Sequence, residues 1–494
     1  MAESFNELTA RFLSWFKQLP GATFSDAIAI QDLRSRKAGR GIIALQDIAP
    51  ETVLFRIPRR SIINVETSAL RAKLPALFSD EGISHGKADD DDPSSSQLDS
   101  WSALILVLLY EHLLGAASAW RPYLDVLPES FATPMFWTPA ELAELQTSAT
   151  VSKIGREGAE NMFRGILLPA VRAHADVFQG SAALSDEQLV QLAHRMGSTI
   201  MAYAFDLEND EDRDEDEEDG WVEDRDGKAM MGMVPMADIL NADAEFNAHV
   251  NHGDDELTVT ALRPIKAGEE ILNYYGPHPN SELLRRYGYV TERHSRYDVV
   301  EIPWEMVEAA TVSQLQLPQE AWAKVVRSPT PTPPLSRAAL TPNQQRGQLD
   351  EDEMEDTFVL ERECPEVTPE GTFPASPAAR FAALPGDLEE QLKEFLKAVR
   401  AVDASLIPDK RKRDELQAAI MVRVLAALEA QYPTTLAQDE QILASDAPLG
   451  DRERMALAVR LGEKRLIREA QAFLEASGQQ QQDGDSPVKR ARLD

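Results

Sequence analysis

The chain has 494 residues, enough for two or three domains, and 43% of them are hydrophobic, so cores of ordinary size can form. Its 83 acidic against 50 basic residues give a net charge of −33, which disfavours nucleic acid and anionic membrane surfaces as partners and favours basic ones. The single cysteine, Cys364, excludes an intramolecular disulfide and a cysteine-based zinc site and suits a reducing compartment.

The N-terminus lacks the basic and apolar regions of a signal peptide. Residues 1–22 read as an N-terminal helix, with Phe5, Leu8, Phe12, Trp15, Phe16 and Leu19 at helical spacing until Pro20-Gly21 stops them. Short β-rich runs follow at 42–44 and 53–57, separated by a turn through Pro50. From about 68 to 200 the pattern is helical, broken by a polar loop at 89–96, with core helices at 101–114 and 154–174. The most apolar run, 103–109, is too short for a membrane span, which needs ~20 residues. An acidic loop at 206–227 precedes strand signals at 256–262, 270–274 and 299–302. Residues 328–377 are rich in Pro, Thr, Ser and acid, and most of them read as disordered. Amphipathic or Ala/Leu-rich helices at 388–402, 413–432 and 452–476 form one helical domain within 298–477. Residues 478–494 read as a disordered tail whose Lys489-Arg490-Ala491-Arg492 has the character of a nuclear localisation signal. Acidic clusters at 89–92, 206–219 and 350–356 read as solvated loops, or as a means of steering a lysine-rich partner.

Three segments carry chemistry. The first is Lys37-Ala-Gly-Arg-Gly-Ile-Ile-Ala44, whose glycines lie just before a strand and let a ligand approach the main chain. The second is Met233-Val-Pro-Met-Ala-Asp-Ile-Leu-Asn241, with an Asn that could equally cap a turn. The third is Asn273-Tyr-Tyr-Gly276 followed by Arg286-Tyr-Gly-Tyr289, which holds four of the nine tyrosines. Strand tyrosines often serve packing alone. Alternation puts Tyr274 and Tyr275 on opposite faces, so only one can line a given site.

The order and residue types of these segments resemble SET-domain protein lysine methyltransferases, specifically the subgroup like Rubisco large-subunit methyltransferase. The likeness runs well from about 24 to 297 and only by general character beyond. It implies an α+β chain: a β-rich SET domain over 23–297 split by the helical insert, then an all-helical C-terminal domain that helps hold the protein substrate. It implies S-adenosylmethionine (AdoMet) as cofactor and transfer of its methyl to a lysine of a basic, non-histone protein such as a large-subunit ribosomal protein. Residue by residue, it makes Tyr275 and Tyr287 catalytic. It gives AdoMet the backbone at Ala38 and Arg40, then Tyr203, Asp238, Asn241, Ala242, Tyr275 and Tyr289. Ala242 departs from the His usual there, which puts affinity in doubt, and Asn247 reads as structural. No metal is implied. The expected partners are the lysine-bearing substrate and a nuclear import receptor, with no direct nucleic acid and no membrane; the expected location is the nucleus, with cytoplasm also open. The rival readings are an inactive SET-fold binding module and an acidic scaffold for basic proteins.

Overall fold

A computed structural model of the chain describes residues 4–78, 98–207, 230–317, 357–376, 378–445 and 448–484. Most of the acidic loop expected at 206–227, and the basic tail at 486–494, lie outside the described residues.

The first helix, Phe5–Gln18, starts at Ser4, whose side chain accepts from the Glu7 N–H while Glu7 accepts from the Ser4 N–H. It buries Phe12 and Phe16. Two four-stranded sheets follow. One takes β1 (Thr23–Phe24), β4 (Val53–Pro58), β9 (Glu256–Ala261) and β8 (Ala248–His252) in that order, all antiparallel. In β9 the small and apolar Leu257, Val259 and Ala261 face the core and the polar residues between them face outward, the period of two that a half-buried strand requires. The other sheet takes β2 (Ile28–Asp32), β3 (Arg40–Ala44), β10 (Glu270–Asn273) and β7 (Asn241–Ala242). The β7–β10 pairing is parallel, with Asn241 opposite Leu272 and Ala242 opposite Asn273.

Between these strand groups lies the helical insert. Its centre is the helix Ser100–Leu113, buried on every side from Ser102 to Glu111. That explains the apolar run without a membrane, and among the described residues no helix is long and apolar enough to cross one. The expected helix over 154–174 is instead Arg156–Met162, a π segment Phe163–Leu167 and Leu168–Ala173. The insert ends with Asp186–Tyr203, which runs into β5 (Ala204–Asp206), paired with β6 (Met231–Met233).

Beyond the SET-like part, the helices Gly386–Val402, Lys410–Gln431 and Asp451–Gly484 gather a second core around Leu392, Leu396, Ile420, Val424 and Ile467. Two expectations need correction. The region is not all helix: β11 (Val300–Pro303) pairs antiparallel with β12 (Thr357–Leu360). Within 328–377, where most residues were expected to be disordered, residues 357–376 are placed, and the remainder lies outside the described residues. Composition misled because the ordered part is held by long-range pairing rather than by its own apolar content. Phe246 N–H donates to Gly371 O at 2.9 Å, Phe373 N–H donates to a Glu245 carboxylate oxygen at 3.2 Å, and the Arg296 guanidinium lies 3.6 Å from the Phe373 ring centre.

Candidate active site

The loop before β3 is closed on itself. Lys37 and Gly39 both have positive φ, and the Leu33 N–H donates to Gly39 O at 2.7 Å. A side chain on Gly39 would meet nothing within 4 Å, so the main chain there borders open space. Gly41 is the opposite case. A Cβ on it would come within 2.4 Å of the Leu33 side chain, 2.7 Å of Glu270 Oε1 and 2.9 Å of Asn241 Nδ2, so a larger residue there would displace the side chains that close on the loop. The Arg40 side chain turns away: it donates to Thr9 Oγ1 at 2.9 Å and to Val126 O at 2.8 Å, and it covers the Phe5 ring. Only the Arg40 backbone faces the Asn241 segment, where its carbonyl accepts from Asn241 Nδ2 at 3.1 Å. Ala38 enters the same turn through its N–H, which donates to Leu33 O at 3.2 Å.

The segment leading to Asn241 is tight. Met236 is fully buried with φ 84°, an uncommon backbone state for a non-glycine residue and a sign of stored strain. Asn241 also donates from Nδ2 to Glu270 at 2.7 Å, so its amide links β3 to β10. Asn247 brackets β10 from the other side, its Nδ2 donating to Glu270 O and its Oδ1 accepting from the Leu272 N–H, both at 2.8 Å. Asp238 is buried, and burial pushes its carboxyl up to about 7. Its Oδ2 accepts from the Tyr123 hydroxyl at 2.5 Å. Sequence reasoning missed Tyr123. It lies 115 positions from Asp238, and no local pattern could pair them.

The tyrosines divide as alternation requires. Tyr274 stacks on Phe246 with centroids 4.6 Å apart. Tyr275 faces the other way, stacked on Tyr287 at 4.8 Å, and its hydroxyl donates to Leu240 O at 3.0 Å. Burial, then the neighbouring Tyr289 and Tyr287, lift the Tyr275 phenol well above its ordinary value. Gly276 has φ 105°, and a Cβ on it would stand 3.3 Å from the imidazole of His278; burial lowers that His to about 4, so it is neutral near pH 7. Tyr287 ends the helix Asn280–Tyr287, and Gly288, at φ 77°, turns the chain so that Tyr289 sits 6.1 Å from Tyr287. Tyr203, at the end of the last insert helix, is pushed up to about 12 by burial and by the charge of Asp238. The chain thus brings together Arg40, Asn241 and Glu270 on one side and Tyr203, Asp238, Tyr275, Tyr287 and Tyr289 on the other. Ala242 lies next to Asn241 in β7, opposite Asn273.

Chemically this is a cluster of buried phenols beside a backbone loop that borders open space. Two of its buried polar atoms, Asp238 Oδ1 and the Tyr289 hydroxyl, have no hydrogen-bond partner among the described residues.

Comparison with known proteins finds two family models and several similar proteins. The SET domain model matches residues 39–276, and the Rubisco LSMT substrate-binding model matches 343–467. Ribosomal lysine N-methyltransferase 4 of Saccharomyces cerevisiae is 33% identical over 315 residues, 62% of this chain and 60% of that protein. N-lysine methyltransferase SETD6 of Mus musculus is 29% identical over 292 residues, 58% of this chain and 55% of its own length. The match thus spans less than two thirds of either relative. The setd6 protein of Danio rerio is 26% identical over 489 residues and matches over 93% of this chain and 94% of its own. Among solved structures, the SET domain of LSMT bound to lysine and AdoHcy superposes with a TM-score of 0.60 at 17% identity, covering 99% of this chain and 98% of the other, which establishes the fold.

Proposed function

We infer the activity from a premise the matches supply: the chain belongs to the SET-domain family and joins its SET domain to a Rubisco LSMT substrate-binding domain. We propose that it is an AdoMet-dependent protein-lysine N-methyltransferase. The observation that carries this is the stacked pair Tyr275–Tyr287 beside the Asn241 crossing of β3, β7 and β10. The residues fit the cofactor on physical grounds. Gly39 borders open space, and Gly41 lets Asn241 and Glu270 reach the loop backbone.

When bound, AdoMet supplies a methyl group on a positively charged sulfur. What the chain must do is align the acceptor and keep it neutral. A free lysine has a pKa of ~10.4, and an enclosed aromatic channel disfavours its charged form. Tyr275 stays protonated at neutral pH, so it acts as a fixed dipole and not as a base. Its hydroxyl, with the Leu240 carbonyl at 3.0 Å, forms a polar corner that can orient an amine nitrogen. The Tyr287 ring backs this corner and limits its width. Asn241, through its side-chain amide, and Ala38 and Arg40, through the backbone, hold the cofactor end.

The substrate we propose is a lysine on a basic ribosomal protein. Its support is the name of the yeast relative and the −33 charge of the chain, which attracts basic surfaces. We further propose that Lys489-Arg490-Ala491-Arg492 engages an import receptor and places the enzyme in the nucleus. Purified full-length chain with methyl-labelled AdoMet, incubated with separated ribosomal subunits, should label one large-subunit protein, located by mass spectrometry. Absence of label on any ribosomal protein, with label on another extract component, would replace the substrate and keep the reaction. A fluorescent fusion lacking 486–494 should leave the nucleus; one that still concentrates there would remove the localisation proposal.

A further inference from the structure

We propose that Asn280 is a positioning residue for methyl transfer: its side-chain carbonyl holds the turn Tyr287-Gly288-Tyr289 in place and, through Tyr287, sets the stack on Tyr275 that bounds the acceptor amine. The proposal rests on the methyltransferase reading above and extends it to a residue that acts only through its neighbours.

Asn280 is the first residue of the helix Asn280–Tyr287, and only 2% of its surface is exposed. Asparagine is a poor helix former and favours the cap position. Here the cap position belongs to Pro279, which has no side-chain acceptor to offer. The acceptor comes from farther along the chain: Asp298 Oδ1 accepts from the Asn280 N–H at 3.1 Å. The Asn280 side chain does something else. Its Oδ1 accepts from the Thr291 N–H at 2.9 Å, 11 positions on. One buried residue thereby ties the start of the helix both to Asp298 and to the chain that follows the helix's far end.

Between the two ends of the Asn280–Thr291 tie lie Tyr287 and Tyr289. The helix that carries Tyr287 is braced by Glu282, whose carboxylate pairs with Arg285 at 2.7 Å and with Arg286 at 3.0 Å. Gly288, at φ 77°, then turns the chain, and its N–H donates to Leu283 O at 3.0 Å. Tyr287 stacks on Tyr275 with centroids 4.8 Å apart, and the Tyr275 hydroxyl donates to Leu240 O at 3.0 Å. Past the turn, Val290 packs against the cluster of Trp137, Leu284, Ala456 and Val459. Apolar contacts of that kind are non-directional and leave a segment able to slide. The bond from Thr291 to Asn280 is directional and fixes the register of the turn. Thr291 passes the constraint on, because its hydroxyl meets His294 Nδ1 at 2.8 Å and accepts from the His294 N–H at 3.1 Å.

A tie that merely stabilises the fold and one that positions Tyr287 differ in how fast each folded molecule works. The test counts AdoMet-binding sites by calorimetric titration and measures methyl transfer per site. The assay uses saturating labelled AdoMet and a ribosome-containing cell extract, and reads the initial rate on the acceptor that wild type labels. A displacement of about 1 Å near reacting atoms can cost about 10²-fold, so the smaller shift expected of Asn280→Ala should slow transfer per site about tenfold. The exchange of Asn280→Asp with Asp298→Asn returns one carboxyl and one carboxamide to the pair and keeps an acceptor for Thr291. It should bring the rate per site back to within about threefold of wild type. Asn280→Ala with fewer binding sites but a wild-type rate at each would overturn the proposal and leave Asn280 a structural tie. An exchange variant that melts like wild type yet stays as slow as Asn280→Ala would overturn it too. Should Asn280→Ala not fold, Asn280→Ser, whose hydroxyl stops short of Thr291, carries the same expectations. A wild type that binds AdoMet but labels no protein, or does not bind it, would instead remove the methyltransferase reading, and this proposal with it.

Discussion

Two regions of this molecule bury charged and polar groups, and they treat them differently. Where the C-terminal helix Asp451–Gly484 enters between the insert and the second core, most such groups are paired. Asp439 and Lys464 are fully enclosed and bonded at 2.5 Å; Arg460 and Thr434 also donate to Asp439, at 3.2 and 2.9 Å. Against the pull of burial, these donors hold the Asp439 carboxyl below its ordinary value. Glu463 accepts from Ser148 at 2.5 Å and from Tyr432 at 2.8 Å. Asp298 is the exception there. Its Oδ1 accepts from the Asn280 N–H at 3.1 Å, but Oδ2 is walled off by Gly462, where a Cβ would stand 1.9 Å away. Among the tyrosines of the candidate site, by contrast, the Tyr289 hydroxyl and Asp238 Oδ1 have no hydrogen-bond partner among the described residues. A saturated network fixes one geometry, whereas an unsaturated one awaits a ligand.

The comparison breaks if the saturated region proves dispensable. Asp439→Ala leaves Lys464 buried beside Arg460 without its carboxylate and should cost about 3–5 kcal/mol in denaturant unfolding, with AdoMet affinity unchanged in whatever remains folded. A loss below about 1 kcal/mol would mean that water reaches the pair. In the unsaturated region the balance should invert. Tyr275→Phe should melt near wild type and bind AdoMet, yet transfer methyl about 10²–10³-fold more slowly in a single-turnover assay.

Proton linkage sharpens the contrast. Burial raises Asp298 and Glu463 to about 7, above their ordinary values of 3.8 and 4.5. A carboxyl raised by folding favours the native state most when both states are protonated, below about pH 4. That contribution is lost as pH climbs through about 7. Stability should therefore fall between about pH 4 and 7, and the pair Asp298→Asn with Glu463→Gln should flatten that fall by about 1–3 kcal/mol; melting curves across this range would check it. The smallest effect belongs to Asn241→Ala. It removes one amide from the proposed cofactor end and should weaken AdoMet about tenfold by calorimetry, with some loss of stability because the same amide joins Arg40 to Glu270.

Much of the architecture could be read before any coordinates. Strand signals at 256–262 marked β9, helical spacing marked Phe12 and Phe16, and alternation alone put Tyr274 and Tyr275 on different sides, as the Phe246 and Tyr287 stacks now illustrate. What escaped was held by distant partners. Nothing near Tyr123 announces Asp238, nothing near Gly462 announces Asp298, and the polar stretch at 357–376 gains its order from β11 and Phe246. Sequence periodicity reports how a segment meets an apolar core; it carries no record of which distant polar group completes a pair.

The sheet that carries the Asn241 crossing also sets a schedule. β2 and β3 are adjacent in the chain and can zip as soon as both are made, but the other edge of β3 waits for β10. Residues 45–269 must be synthesised first, which at about 5–20 residues per second takes on the order of 10–45 s. For that interval a ribosome-bound chain presents Ile42 and Ile43 on an open β edge, a template for pairing with other chains. Pairing across so long a stretch also pushes formation of this sheet late and makes it slow. The fold that assembles the site last is thus one whose nascent form calls for protection, by chaperone or by early packing of the insert over the waiting edge.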